Sequence, residues 1–310
     1  MGLLRNVFLA GSQSRWLRTR ATRSRVVRRA VSRFMPGEDL DSALAAARAV
    51  GASGAGAVLT CLGENLAAQS EAEQVSSHYR HALDRIQGAS LDAEISIKLT
   101  QLGLDFSRDE CEKHVTALVE RATALGSWIW IDMESTEYTD VTLDIYRRVR
   151  ERHATVGVCV QSYLRRTARD LDALIGMGAG VRLVKGAYKE PSDRAFPRKR
   201  DVDANYFTLA AELLGQRARA AGVRAIFGTH DPDLIGRIEA AGRRLGLPAR
   251  GLEFQMLYGI RPQEQARLAG LGYRFRVLIS YGDAWFPWYM RRLAERPANV
   301  LFVLKSLFAA

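Results

Sequence analysis

The chain has 310 residues, 47% of them hydrophobic and 25% charged, and carries a formal net charge of +11. This is globular composition, not that of a fibrous or disordered protein, and no apolar run reaches the ~18 residues of a membrane span. The patch around Val7–Ala10 is too short for a signal-peptide core. Three cysteines without a Cys-x-x-Cys pair suggest neither a disulfide framework nor a zinc site, so the expectation is a cytoplasmic protein without a bound metal.

The charge sits at the front of the chain. Residues 1–37 hold nine arginines and no acid, which leaves the remainder at +2. Val, Leu and Trp interleave with these arginines as in a basic amphipathic helix. Such a helix suits an anionic membrane surface, which would make the protein peripheral, or it packs its apolar stripe on the rest of the fold. No nucleic-acid-binding motif accompanies the basicity. Pro36-Gly37 punctuates the arm, and Asp39–Val50 reads as a capped, Ala-rich helix. The predicted division is therefore a basic helical arm over 1–50 and a catalytic domain over 51–310.

Beyond the arm the pattern alternates. Strand-like runs fall at Ala57–Leu62, Ile95–Leu99, Trp128–Met133, Val156–Gln161, Val181–Lys185, Ala225–Thr229, Leu252–Leu257 and Phe275–Ile279. Helical patterns separate them, among them Gln74–Ile86, Asp109–Leu125, Val141–Glu151, Thr167–Ile175, Ala204–Ala221, Pro232–Leu245 and Pro262–Ala269. Eight strands, each followed by a helix, predict a (βα)8 barrel in the α/β class. A doubly wound sheet fits less well, because the glycine clusters at Gly51–Gly56 and Gly176–Gly180 lead into strands instead of following them. His78 and His81 are three apart, but they lie on a surface helix with no third ligand nearby.

In such a barrel the chemistry sits at the C-terminal ends of the strands, and here nearly every end is polar. The ends supply Glu64-Asn65, Lys98, Asp132, Gln161, the run VRLVKGAYKEP with Arg182, Lys185, Gly186 and Tyr188, then Thr229-His230, Gln255 and Tyr281-Gly282-Asp283. A purely structural barrel needs no such ring. The final helical pattern places Trp288, Arg292 and Glu295 on one face with Arg291 at its margin. Lying over the barrel mouth, paired guanidiniums would clamp a carboxylate or phosphate.

These segments, with Leu62–Asn65, Ile131–Ser135, Glu253–Gly259 and Arg291–Asn299, together resemble the flavin-dependent proline dehydrogenase family over essentially the whole chain. The resemblance implies a barrel holding FAD non-covalently at the strand ends. It implies hydride transfer from the carbon beside the ring nitrogen of proline to flavin N5, giving 1-pyrroline-5-carboxylate, the cyclic imine of proline catabolism, with electrons passed on to a quinone or another acceptor. By the same resemblance Lys98, Arg291 and Arg292 bind the substrate carboxylate, Asp132 balances that cluster, and Arg182 tunes the flavin. Met133, Gln161, Val184, Lys185, Gly186, Ala187, Thr229, His230 and Gln255 hold the cofactor, Glu295 supports the arginines, and Tyr188 and Leu257 line the substrate side.

The chain departs from the family pattern around the substrate ring. Leu278-Ile279-Ser280 stands where the family has Tyr-x-Pro, Trp288 replaces a tyrosine, and Thr60-Cys61 replaces an aspartate. Leu278 and Trp288 lead us to expect a reshaped, less polar pocket that favours a substituted or N-alkylated substrate and disfavours a hydroxylated ring. Two rival functions stay open on the sequence: a Schiff-base lyase using Lys98 or Lys185, and a flavin-binding sensor without turnover.

Overall fold

The computed structural model describes residues 31–63, 66–286 and 289–290. The arm before residue 31, Glu64, Asn65, Pro287, Trp288, Arg291, Arg292 and Glu295 lie outside the described residues. Eight parallel strands close into a barrel in chain order: β1 Gly56–Cys61, β2 Ala93–Ile97, β3 Ile129–Ile131, β4 Val156–Gln161, β5 Gly180–Val184, β6 Arg224–Gly228, β7 Glu253–Leu257 and β8 Arg274–Tyr281, with β8 pairing back onto β1. The helices are α1 Leu40–Gly51, α2 Gln69–Gly88, α3 Arg108–Ala124, α4 Thr139–Arg150, α5 Thr167–Gly176, α6 Lys199–Leu214, α7 Gln216–Ala220, α8 Pro232–Arg244 and α9 Pro262–Gly270. The helix predicted over 204–221 is two, because Gly215 adopts an extended ψ of 160° and breaks the ladder. Among the described residues no helix is long and apolar enough to cross a membrane.

Strand side chains alternate between the helical jacket and the lumen. Ala57 and Leu59 join the large core shared with the helices, whereas Val58 meets Trp130, Ile226 and Leu278 inside the barrel. The N-terminal end of the lumen is closed by charge. Arg224 pairs with Glu94 at 2.8 Å and Glu253 at 2.7 Å, Arg276 pairs with Asp92 at 2.8 Å, and Trp130 Nε1 donates to Glu94 Oε2 at 2.7 Å. Trp130 fits because β4 presents Gly157 to it, where a Cβ would come within 2.2 Å of its ring. A lumen filled from below leaves the C-terminal face as the place for a ligand.

The barrel's packing also takes in residues that the sequence assigns to the arm. Leu40, Ala43, Leu44, Ala46 and Ala47 of α1 are buried in the main core. Val31 and Met35 form a second cluster with Leu62, Trp285, Phe286 and Tyr289, and Trp285 Nε1 donates to Glu38 Oε1 at 2.9 Å.

Candidate functional site

A cavity of about 550 Å³ opens at the C-terminal ends of the strands, a size typical of small-molecule and cofactor sites. Of the described residues nominated from the sequence, Lys98, Asp132, Met133, Gln161, Arg182, Val184, Lys185, Gly186, Ala187, Tyr188, Thr229, His230, Gln255, Leu257 and Leu278 line it, whereas Tyr281, Gly282 and Asp283 do not, Tyr281 being buried against His78 at 2.8 Å. Asp132 and Met133 stand just past β3, which ends at Ile131 and not at Met133. The third strand is shorter than predicted, although the Asp132 amide still donates to Ile97 O at 2.8 Å, and Asp132, two residues after the lumen-facing Trp130, faces the lumen as well.

Arg182 is the centre of the arrangement. It is 3% exposed, and its Nη2 donates both to Asp132 Oδ1 and, at 2.8 Å, to Ser96 Oγ, while Nη1 donates to Gln255 Oε1 at 3.3 Å. Ser96 Oγ can in turn donate to Asp132 Oδ1 at 3.0 Å. Burial opposes the guanidinium charge more than any one neighbour favours it, yet Asp132, Cys159 and Glu94 together outweigh it, and the net effect holds Arg182 more firmly protonated than usual. The pair is close to neutral as a unit. Lys98 faces the same cavity without an ion-pair partner among the described residues, so the excess charge there is positive.

A second charged cluster sits at the mouth. Lys185 Nζ donates to Asp203 Oδ1 at 2.5 Å and to Asp231 Oδ2 at 2.8 Å, and Lys199 contacts the same two aspartates. Asp231 also caps α8 through the Asp233 amide. Burial alone would raise the Asp231 carboxyl, but the two lysines prevail and bring it down to about 2. Lys185 is thus committed to two carboxylates, a poor setting for the neutral amine that a Schiff-base nucleophile needs. The following loop is tied down on both sides. Glu190 accepts from Thr136 N at 2.8 Å and Thr136 Oγ1 at 2.5 Å, and the Tyr163 amide donates to Lys185 O at 2.9 Å. Gly186, at φ 109°, lies so near the Tyr163 ring that a Cβ would approach it to 2.2 Å.

Sequence reasoning missed several cavity neighbours. Ser96 lies two residues before Lys98, and the strand period of two puts both inside, a signal that was present but unread. Lys199 and Asp203 come from α6 and Asp231 from the β6–α8 turn; the sheet order brings them to Lys185, which spacing cannot show. Among the described residues no group of His, Cys, Asp and Glu could hold a metal ion.

The family model described as proline dehydrogenase matches residues 43–305. "Proline dehydrogenase 1" of Bacillus subtilis subsp. natto is 39% identical over 305 residues, covering 98% of this chain and 99% of its own. "Proline dehydrogenase" of Deinococcus radiodurans is 33% identical over 280 residues, 89% of each chain. Among solved structures, proline utilization A (PutA) from Bdellovibrio bacteriovorus, inactivated by N-propargylglycine, superposes with a TM-score of 0.81 at 23% identity over 87% of this chain and 33% of that one. That likeness speaks to the fold, and the chain spans about a third of that larger protein.

Proposed function

The chain belongs to the proline dehydrogenase family, and from that premise we propose that its cavity holds FAD and oxidises the C–N bond of L-proline or a close cyclic relative. It is an oxidoreductase acting on a CH–NH group. The observation that carries the site assignment is the buried Arg182–Asp132 pair in a cavity also lined by Lys98, which has no ion-pair partner among the described residues.

The residues fit a flavin. Gln161 Oε1 and Gln255 Nε2 are buried, line the cavity and have no hydrogen-bond partner among the described residues. They offer one acceptor and one donor to a ring system whose edge alternates both. Gly186, Ala187, Val184, Met133, Thr229 and His230 would pack against the cofactor, with Lys185 near its charged part and Glu295 behind the arginines. Bound there, FAD supplies the two-electron acceptor.

The protein's own contribution is binding and electrostatics. Lys98, with Arg291 and Arg292 from the last helical pattern, would hold the substrate carboxylate, while Tyr188, Leu257, Leu278 and Trp288 bound the ring. That cationic field disfavours the substrate ammonium, so the amine loses its proton before the neighbouring carbon gives up hydride and the C–N single bond becomes C=N. Arg182, its charge balanced by Asp132, would present a fixed guanidinium dipole to a bound flavin. From a flavin bound there the electrons would pass on to a quinone or another acceptor. We expect Lys98→Met to raise KM for L-proline about 10- to 100-fold with bound FAD retained, the effect of losing one charge-assisted hydrogen bond. An unchanged KM would remove Lys98 from the carboxylate site and with it the assignment of the cavity.

A further inference from the structure

The wall formed by β8 and β1 carries polarity that oxidation of an unsubstituted ring does not use. Ser280 and Thr60 are register partners on these adjacent strands, 1% and 3% exposed, and both line the cavity. Among the described residues neither hydroxyl has a hydrogen-bond partner within bonding distance. Thr60 also neighbours the Tyr79 hydroxyl, which is already engaged with the Cys61 amide at 3.1 Å, so Ser280 is the freer of the two. Along the same strand, nearer the floor, Leu278 faces the cavity beside its own register partner Leu257. The wall is therefore amphipathic: an apolar ledge of two leucines with two hydroxyls above it.

A ring of methylene groups can fill the ledge, but it would seal Ser280 and Thr60 from water without pairing them, and an unmade hydrogen bond to a buried hydroxyl is costly. A ring bearing a hydroxyl satisfies both parts of the wall. Taking the reading that this cavity oxidises a cyclic amino acid, we propose that Ser280, assisted by Thr60, forms a polar subsite for a hydroxyl on the substrate ring, making a hydroxylated pyrrolidine carboxylate the better substrate. This reverses the expectation drawn from Leu278 alone. Leu278 offers no partner for such a hydroxyl, whereas the residue two further along the strand does.

The test is anaerobic flavin reduction of the full-length holoenzyme by L-proline and by cis- and trans-4-hydroxy-L-proline, in wild type, Ser280→Ala, Thr60→Val and Ser280→Thr. At least one hydroxylated isomer is expected to match or exceed L-proline in kcat/KM. The ratio of hydroxyproline to proline kcat/KM should fall about 10- to 100-fold in Ser280→Ala, less in Thr60→Val, and recover in Ser280→Thr, as a site built to bond a hydroxyl discriminates. Preference for L-proline over both isomers, or a ratio unmoved in Ser280→Ala and Thr60→Val alike, would overturn the proposal. A binding readout separates this from failure of the underlying reaction. Cyclopentane carboxylate and its hydroxylated counterpart lack the ring nitrogen, and their perturbation of the flavin spectrum should favour the hydroxylated form only while Ser280 keeps its hydroxyl. Equal affinities in wild type would reject the subsite even if no amino acid were oxidised.

Discussion

Arg182 shows how one side chain sets the character of the site. A guanidinium this deeply buried persists because Asp132, Ser96 and Gln255 each accept from it. Removing the carboxylate leaves an uncompensated charge, so Asp132→Ala should lower stability by about 3–5 kcal/mol, the usual penalty for breaking a buried pair from one side. Asp132→Asn, which keeps an acceptor, should cost clearly less. Thermal unfolding of the flavin-free variants measures this; a loss below about 1 kcal/mol in Asp132→Ala would mean that Ser96 and Gln255 alone suffice. Gly186→Ala is the sharper steric probe. It combines a left-handed backbone with a 2.2 Å approach to the Tyr163 ring, so it should destabilise by about 1–3 kcal/mol and weaken FAD retention, with Tyr163→Ala relieving part of the defect. Wild-type stability and flavin content in Gly186→Ala would refute the close packing. The sequence placed Gly186 at a strand end among the cofactor-holding residues, but the ring it approaches lies on a different strand-end loop and was not legible.

At the scale of elements, the mouth is held by a joint between the end of β5, the start of α6 and the N-cap of α8. Asp231 joins all three, and its acidity is depressed to about 2 by Lys185 and Lys199 despite partial burial. A carboxyl lowered on folding contributes stability above its unfolded pKa of about 3.9 and loses it as pH falls toward the folded value. Between pH 4 and 2 the wild type should therefore lose stability more steeply than Asp231→Asn, with the difference reduced by salt because the group is only partly buried. Parallel pH profiles for the two proteins would show that Asp231 acts only as a helix cap. Strand and helix placement was readable from periodicity alone, since the parallel strands are continuous apolar runs bounded by turn residues. Two misreadings have simple causes. Gly215 splits one amphipathic stretch into α6 and α7, and β8 runs on to Tyr281 because Ser280 and Tyr281 keep pairing with Thr60 and Cys61.

For the whole molecule, the closed order of strands gathers one or two polar residues from each βα junction into a single cavity while the charged floor blocks the opposite end. That convergence is what a barrel count predicts, and it is why residues from 98 to 278 could be nominated together before their distances were known. The identity of each contact could not be read, because partners such as Lys185 and Asp203, or Ser96 and Arg182, are joined only by the closure of the sheet. Ahead of the barrel, the basic arm leads into Val31 and Met35, which pack on Trp285 and Tyr289. Deleting residues 1–30 should leave FAD bound but weaken sedimentation with anionic vesicles at low salt, since the deletion removes eight arginines that near a membrane contribute about 1 kcal/mol each. Equal sedimentation of both forms would assign the arm to packing instead. The central claim is that this cavity carries a flavin and oxidises a cyclic amino acid. Its most direct test is anaerobic titration of the purified holoprotein with L-proline and its 4-hydroxylated forms, followed by flavin absorbance. Bleaching of one FAD per chain with one equivalent of cyclic imine formed is the predicted result; a flavin that stays oxidised with every one of these substrates, in folded and fully loaded protein, would contradict it.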